Sequence, residues 1–349
     1  VTDADAPSTD LAPVISQLVR GEDLGDEQAA AALGAILSGE VSDVQIAGFA
    51  VALRAKGESV DEIATLARTM REFGEKIEVD GPLVDTCGTG GDRKGTLNVS
   101  TAAALVVAGA GARVCKHGNR AASSKCGSAD VLEELGVAVD LGPAGVARCI
   151  EEVGIGFCFA PRFHPAMRHA AGARRALGVA TTFNFLGPLS NPAGARHHAL
   201  GISDPGMAER VVHALDRLGT ERALVFYGHD GLDELTTTTT STVYELDHGH
   251  VTHYDISPVD LGIPAVDPDA LAGGDAAYNA EVTRRVLAGD QGPARDIVVL
   301  NAAAGLLAAG VAANFTNAIE EAAAAIDDGL VAERLEALVR VSTAAAAEE

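Results

Sequence analysis

The stretch DTCGTGGDRKGTLNVSTAAALVVAGAGA, residues 85–112, sets Gly88, Gly90 and Gly91 within four residues, just ahead of a helix-like run of Ala, Leu and Val. Such a loop exposes backbone N–H groups with no side chain in the way. With a helix N-terminus behind it, those donors form an anion site, most often for phosphate. The spacing is neither a Walker A motif nor a G-x-G-x-x-G fingerprint, so a plain tight turn is the competing reading. Asn98, Ser100 and Thr101 add side-chain donors and acceptors at the helix start, where simple N-capping is the alternative.

Two further clusters carry polar chemistry. KHGNRAASSKCGSADVLEELG, residues 116–136, gathers Lys116, His117, Asn119, Arg120, Ser123, Ser124 and Lys125 after a strand-like run. In an open α/β sheet that is the ligand-binding edge. His117 taken alone is weaker evidence, since a lone His is more often an ordinary hydrogen-bonded residue than a catalyst. HDGLDEL, residues 229–235, sets Asp233 beside Glu234. Adjacent carboxylates near phosphate suit Mg²⁺, a hard ion that takes oxygen ligands; the alternative is an acidic surface loop. No Cys/His spacing suits zinc, and no G-x-S-x-G elbow is present.

The elements that must position these residues follow from periodicity. Residues 10–73 predict four helices and no strand. Leu11, Val14, Ile15, Leu18 and Val19 form an amphipathic stripe. Asp26 is the expected cap of the second helix, and Ser42/Gln45 and Ser59/Glu62 read as capping boxes of the third and fourth. From residue 83, strand-like runs alternate with helical ones: LVDT, ARVCKH, VAVDL, GFCFA, HHALGI and RALVFYG. That alternation predicts a mainly parallel sheet with crossover helices. VYELD and VTHYD flank HGH as a hairpin, and the Thr run at 236–242 favours extended structure. Residues 164–178 predict a helix with a basic face, followed by the Gly/Pro-punctuated connection FNFLGPLSNPAG. Roughly 277–345 is helical. The expected organisation is a helical domain over 1–77, rejoined by helices at about 164–188, and an α/β domain over 78–163 and 189–349.

Composition narrows the function. A net charge of −23 argues against a nucleic-acid surface, because binding there depends on neutralising phosphates. Three of only five lysines, Lys94, Lys116 and Lys125, fall beside the glycine loop, a local basic concentration that suits an anionic small molecule. The five cysteines show no C-x-x-C spacing and read as reduced thiols of a cytoplasmic protein. The acidic start VTDADAPSTD is unlike a signal peptide, and no apolar run reaches the ~18 residues of a membrane span. The expectation is no membrane and no nucleic-acid partner.

Taken together, DTCGTGGD, NVST, KHGNR with S-x-GSADVLE-x-LG, NFLGPLSNP and DGLDE resemble the anthranilate phosphoribosyltransferase family, in order and spacing over roughly residues 10–345. The resemblance implies a small helical domain hinged to a larger α/β domain. It implies Mg²⁺-dependent transfer of phosphoribose from phosphoribosyl pyrophosphate (PRPP) to the amine of anthranilate, in tryptophan biosynthesis, with two Mg²⁺ ions and a homodimer formed through the helical domain. Carried over residue by residue, it assigns PRPP to Gly88, Thr89, Gly90, Gly91, Asp92, Thr96, Asn98, Ser100, Thr101, Lys116 and Ser128. It assigns anthranilate to Gly88, His117, Asn119 and Arg174, and metal to Ser100, Asp233 and Glu234. Lys116 would stabilise the leaving group, and no protein nucleophile is required. This chain departs from the pattern at Ala121 and Ala122, where many relatives carry Ser or Val, and in the Thr run, where a segment with Gly-Pro is more usual. A pyrimidine nucleoside phosphorylase would share the architecture but carry a KHSTGG-type loop. A non-catalytic nucleic-acid-binding relative would be expected to lack Asn119 or Arg174.

Overall fold

The computed structural model describes residues 9–121 and 125–349. The described residues begin with four helices, α1 (Ala12–Val19), α2 (Asp26–Leu37), α3 (Asp43–Lys56) and α4 (Val60–Glu72). Their ends follow from local chemistry. Ser59 Oγ accepts from the Glu62 N–H at 3.1 Å while Glu62 Oε2 accepts from the Ser59 N–H at 2.8 Å, a reciprocal capping box. The same buried glutamate accepts from Lys56 Nζ at 2.8 Å and from the Leu24 N–H at 2.9 Å, so it also ties α3 and the α1–α2 connection to α4. Ser42 caps α3 through the Gln45 N–H. Asp26 does not cap α2: Gly25 holds that position, and Asp26 lies in the first turn and accepts from Thr65 Oγ1 at 3.1 Å.

The α/β part runs β1 (Val84–Gly88), α5 (Val99–Gly109), β2 (Val114–Gly118), α6 (Ser128–Glu134), α7 (Pro143–Val153), β3 (Ile155–Phe159), α8 (Ala160–Phe163), α9 (Arg168–Leu177) and α10 (Phe183–Leu186). It continues with β4 (His197–Gly201), α11 (Ala208–Arg217), β5 (Arg222–Gly228), β6 (Ser241–Asp247) and β7 (His250–Ile256). Four helices close the chain: α12 (Ala276–Leu287), α13 (Pro293–Ala308), α14 (Phe315–Asp327) and α15 (Leu330–Glu348). The seven strands among the described residues form one sheet in the order β3-β2-β1-β4-β5-β6-β7. The first five in that order are parallel, and β6 and β7 add an antiparallel hairpin. His248 and Gly249 at its tip both have positive φ, as a two-residue primed turn requires.

One face of the sheet buries a core shared with α5, α7 and the C-terminal helices. The other face, at Cys87, Leu200 and Val225, is continuous with the core of α1–α4, and α11 packs on α4. α9 lies against α2 and α3, and α10 against α4, so residues 168–186 return to the helical bundle.

Two strand expectations differ from the structure. Residues 137–141, VAVDL, alternate in burial as a strand would, with Val137, Val139 and Leu141 inside. They join no sheet, and the Ala138 N–H donates to Ser342 Oγ of α15. The period of two is met there by packing on a helix. The Thr run is bent up to Thr240, and β6 starts only at Ser241. Its hydroxyls turn inward: Thr236 and Thr238 Oγ1 both donate to Asp230 Oδ2, at 2.7 and 2.6 Å. Local side-chain bonding competes with the strand ladder.

Candidate active site

Strand order reverses between β1 and β4. In an open parallel sheet the crevice beyond the carboxyl ends of two such strands is the natural ligand site. The glycine loop leaves β1 there, and residues 202–204 leave β4. The two loops are joined: the Thr89 N–H donates to the Gly201 carbonyl at 2.9 Å, and Thr89 Oγ1 accepts from the Ser203 N–H at 3.0 Å.

The acidic pair from the loop after β5 closes over this crevice. Asp233 Oδ2 accepts from the Gly90 N–H at 2.7 Å, and Glu234 Oε1 accepts from the Ser100 N–H at 3.1 Å, in the first turn of α5. Gly88 and Gly201 make this approach possible. A Cβ at Gly88 would stand 2.5 Å from Asp233 Oδ2, and one at Gly201 would overlap the Asp233 carbonyl. Gly90 and Gly91 have φ of +67° and +88°, which side-chain-bearing residues rarely adopt. Asn301 on α13 anchors the acidic loop, exchanging two hydrogen bonds with the backbone of Leu235 at 2.9 and 2.8 Å.

Both carboxylates are buried. Burial, then the neighbouring Asp92 carboxylate, pushes Asp233 up to about 7; burial and then Asp233 push Glu234 well above the usual carboxylate range, with Lys116 opposing. Lys116 is buried under the same loop, and its ammonium donates to the Thr86 carbonyl and to Ser100 Oγ. Burial lowers its pKa, against the pull of Cys87, Asp85 and Glu234. Among the described residues no group of three or more His, Cys, Asp or Glu side chains is arranged to hold a metal. Two carboxylates whose charge is poorly compensated nonetheless suit a hard divalent cation. Mg²⁺ ordinarily takes one or two carboxylates and completes its shell with water and substrate oxygens.

The remaining sequence-predicted residues divide. Asp92 sits beside Asp233 and accepts from the Lys94 N–H. Thr101 is buried in the first turn of α5. Asn98 is the N-cap residue by position, but its side chain is used elsewhere: Nδ2 donates to the Cys126 carbonyl and Oδ1 accepts from Asn279. Thr96 forms an isolated bridge with Ala272. Ser128 Oγ accepts from the Asn119 N–H and donates to the Asn119 carbonyl, folding the loop after β2 onto α6. Arg120 turns away, held by Asp130 and Glu133 and stacked over Phe159. Lys125 is exposed, and Ser123 and Ser124 lie outside the described residues. Arg174 is not brought into hydrogen-bonding contact with the other predicted residues. Its guanidinium lies 5.9 Å over the Phe183 ring with no carboxylate partner among the described residues, and burial lowers its pKa.

Further residues join the site that type and spacing alone do not single out. His164 stands edge-on to His117, ring centroids 5.2 Å apart, and both its nitrogens are buried. Burial, then His164, pulls His117 down to about 3, and burial pulls His164 down to about 4. Both rings are therefore neutral near pH 7. Asp85 is fully buried below His117, and burial pushes it up to about 6 against Asn191, Lys116 and the His117 N–H. The H-P pair that opens the basic helix was the one available pointer to His164. Nothing in the sequence pairs Asp85 with Asn191.

The comparisons with known proteins point to one family. The sequence matches the family described as "Glycosyl transferase family, a/b domain" over residues 80–332, and "Glycosyl transferase family, helical bundle domain" over residues 12–74. It is 51% identical to anthranilate phosphoribosyltransferase of Roseiflexus castenholzii, over 94% of this chain and 97% of that protein. The crystal structure of anthranilate phosphoribosyltransferase from Thermus thermophilus superposes with a TM-score of 0.89 at 44% identity, covering 94% of this chain and 99% of that one. The Saccharomyces cerevisiae enzyme in complex with PRPP and Mg superposes with a TM-score of 0.87 at 26% identity, covering 96% and 98%. The chain belongs to the anthranilate phosphoribosyltransferase family.

Proposed function

We propose that this protein transfers phosphoribose from PRPP to the amine of anthranilate, giving N-(5-phosphoribosyl)anthranilate and pyrophosphate, as a Mg²⁺-dependent pentosyltransferase of tryptophan biosynthesis. The observation that carries the reading is the convergence of the glycine loop, the α5 N-terminus, Lys116 and the Asp233–Glu234 pair at the sheet's switch point.

PRPP lies along the loop from Gly88 to Asp92 and over the first turn of α5. Its phosphate oxygens take other N–H groups of the loop and helix start, while those of Gly90 and Ser100 stay with Asp233 and Glu234. Ser100, Thr101 and Lys116 hold the pyrophosphate, with Thr96, Asn98 and Ser128 shaping the adjoining wall. Asp233 and Glu234, seated by those amides, would hold Mg²⁺ through their remaining carboxylate oxygens together with Ser100. When bound, Mg²⁺ supplies charge neutralisation to the pyrophosphate as it leaves. Lys116 contributes in the same direction from below, in a buried site where a fixed charge acts strongly. Anthranilate lies between Gly88, His117 and Asn119, and its carboxylate is met by Arg174, whose planar fork suits that group. Neutral His117 and His164 give its ring an uncharged wall. The aryl amine is already neutral at pH 7, so holding the two substrates in line is the main task.

The helical and α/β regions are the two domains of the enzyme. Exposed Val19 on α1 and Val44 and Val51 on α3 support pairing of two copies through the helical bundle, which sedimentation would test. The activity test is the loss of anthranilate fluorescence with purified protein, PRPP and Mg²⁺, repeated with EDTA. Metal-dependent loss is expected. A folded protein that leaves anthranilate unchanged would overturn the reading.

A further inference from the structure

We infer that Asp85 is a positioning residue for the acceptor side of the site, its buried carboxylate fixing the His117 end of β2 to the connection that runs through Gly187 and Asn191. This rests on the transferase reading above.

The geometry is specific. Asp85 Oδ1 accepts from the His117 N–H at 3.0 Å, and Oδ2 accepts from Asn191 Nδ2 at 2.7 Å. Asn191 Nδ2 also donates to the Cys115 carbonyl at 2.8 Å, while its Oδ1 accepts from the Ala193 N–H at 3.0 Å. The amide orientation is therefore set from both ends, with its donor toward Asp85. All of these side chains are buried. Position 85 must then present two acceptors and no donor, which only an ionised carboxylate of this length does. Asp85 itself reaches no solvent and no substrate. Its two partners lead to opposite walls of one space: His117 carries the imidazole packed against His164, and four residues before Asn191, Gly187 lies against the His117 ring, where an added Cβ would stand 3.6 Å from Cε1. The phosphate side is held by other bonds, from Asp233, Glu234 and Ser203.

An amide at position 85 turns one acceptor into a donor, which must face either the His117 N–H or the Asn191 NH₂. Asn191→Ala removes the second partner while leaving the Asp85 charge and Lys116 in place. Steady-state kinetics of Asp85→Asn, Asn191→Ala and the double variant, with each substrate varied, test the inference. The expected result is a KM for anthranilate raised about tenfold or more in each single variant, from the buried mispairing. KM for PRPP should stay within about threefold in Asn191→Ala, which keeps the Asp85 charge beside Lys116, and the double variant should raise KM for anthranilate little beyond the worse single one, because both changes break one linkage. If Asp85→Asn does not fold, Asn191→Ala carries the same expectation. Active wild-type protein with proportional losses for both substrates, or no change in KM for anthranilate, overturns this inference alone. A wild-type protein with no transferase activity overturns the function and this inference with it.

Discussion

Gly88→Ala places one methyl group against the acidic pair and leaves every charged residue in place. The added Cβ would lie 2.5 Å from Asp233 Oδ2, whereas ordinary contact starts at 3.4 Å, so the carboxylate must retreat by about 0.9 Å. That same oxygen accepts from the Gly90 N–H at 2.7 Å, and a retreat of this size carries it beyond hydrogen-bond range. A bond to an ionised acceptor contributes roughly 1.5–3 kcal/mol. With about 1.4 kcal/mol per factor of ten, the Mg²⁺ concentration for half-maximal activity should rise by about one to two orders of magnitude. The assay is anthranilate fluorescence across a Mg²⁺ titration at saturating PRPP, with thermal unfolding of the same samples to separate lost activity from lost fold. A folded Gly88→Ala protein with the wild-type Mg²⁺ response would refute the argument that glycine is needed here to seat Asp233.

Arg174→Ala should raise KM for anthranilate by about tenfold or more with KM for PRPP nearly unchanged, since an unpaired guanidinium in a half-buried position suits a carboxylate ligand; equal losses for both substrates would count against it. Asn301→Ala should lower stability by about 3 kcal/mol, because it strips partners from the buried Leu235 backbone, and urea midpoints would show it. His198 is fully buried, and burial, then Arg71, pulls its pKa down to about 3. Its folded-state value lies below the unfolded 6.5, so the stability it contributes is complete above pH 6.5 and drains as pH falls toward 3. The full span corresponds to roughly 5 kcal/mol. His198→Gln, which keeps a donor for the Ala195 carbonyl, should flatten the decline in urea midpoint between pH 7 and 4; an unchanged slope would assign it to other groups.

What could be read in advance depended on range. The capping box at Ser59 and Glu62 lies within one turn, so sequence alone reveals it. The helix of Ala, Leu and Val after the glycine loop, and the hairpin around His248 and Gly249, are equally local. VAVDL at 137–141 misled because alternating burial says only that one side is covered, not whether a strand or α15 covers it. Thr residues at 236–240 favour extension in general, yet Asp230 a few residues away captures their hydroxyls. At the site, the glycines and the acidic pair were each visible as motifs, but their mutual contact depends on a pairing across the β1–β4 reversal. Arg120 belonged to a basic cluster by composition, and only the fold brings Asp130 and Glu133 to it. Asp85 and Asn191 stand 106 positions apart, and neither residue type suggests the other.

The bonds that join the glycine loop to its acidic partners, Gly90 to Asp233 and Ser100 to Glu234, close loops of 143 and 134 residues. Contacts of that span form only after the intervening chain has lost most of its freedom. β4 and β5 must therefore dock beside β1 before the loop has anything to rest on. A chain stopped just before residue 233 would include the helical bundle and all five parallel strands yet leave the glycine loop without a lid. Competence for the anionic substrate thus arrives late in folding, as a property of the completed sheet and not of the segment that carries the motif.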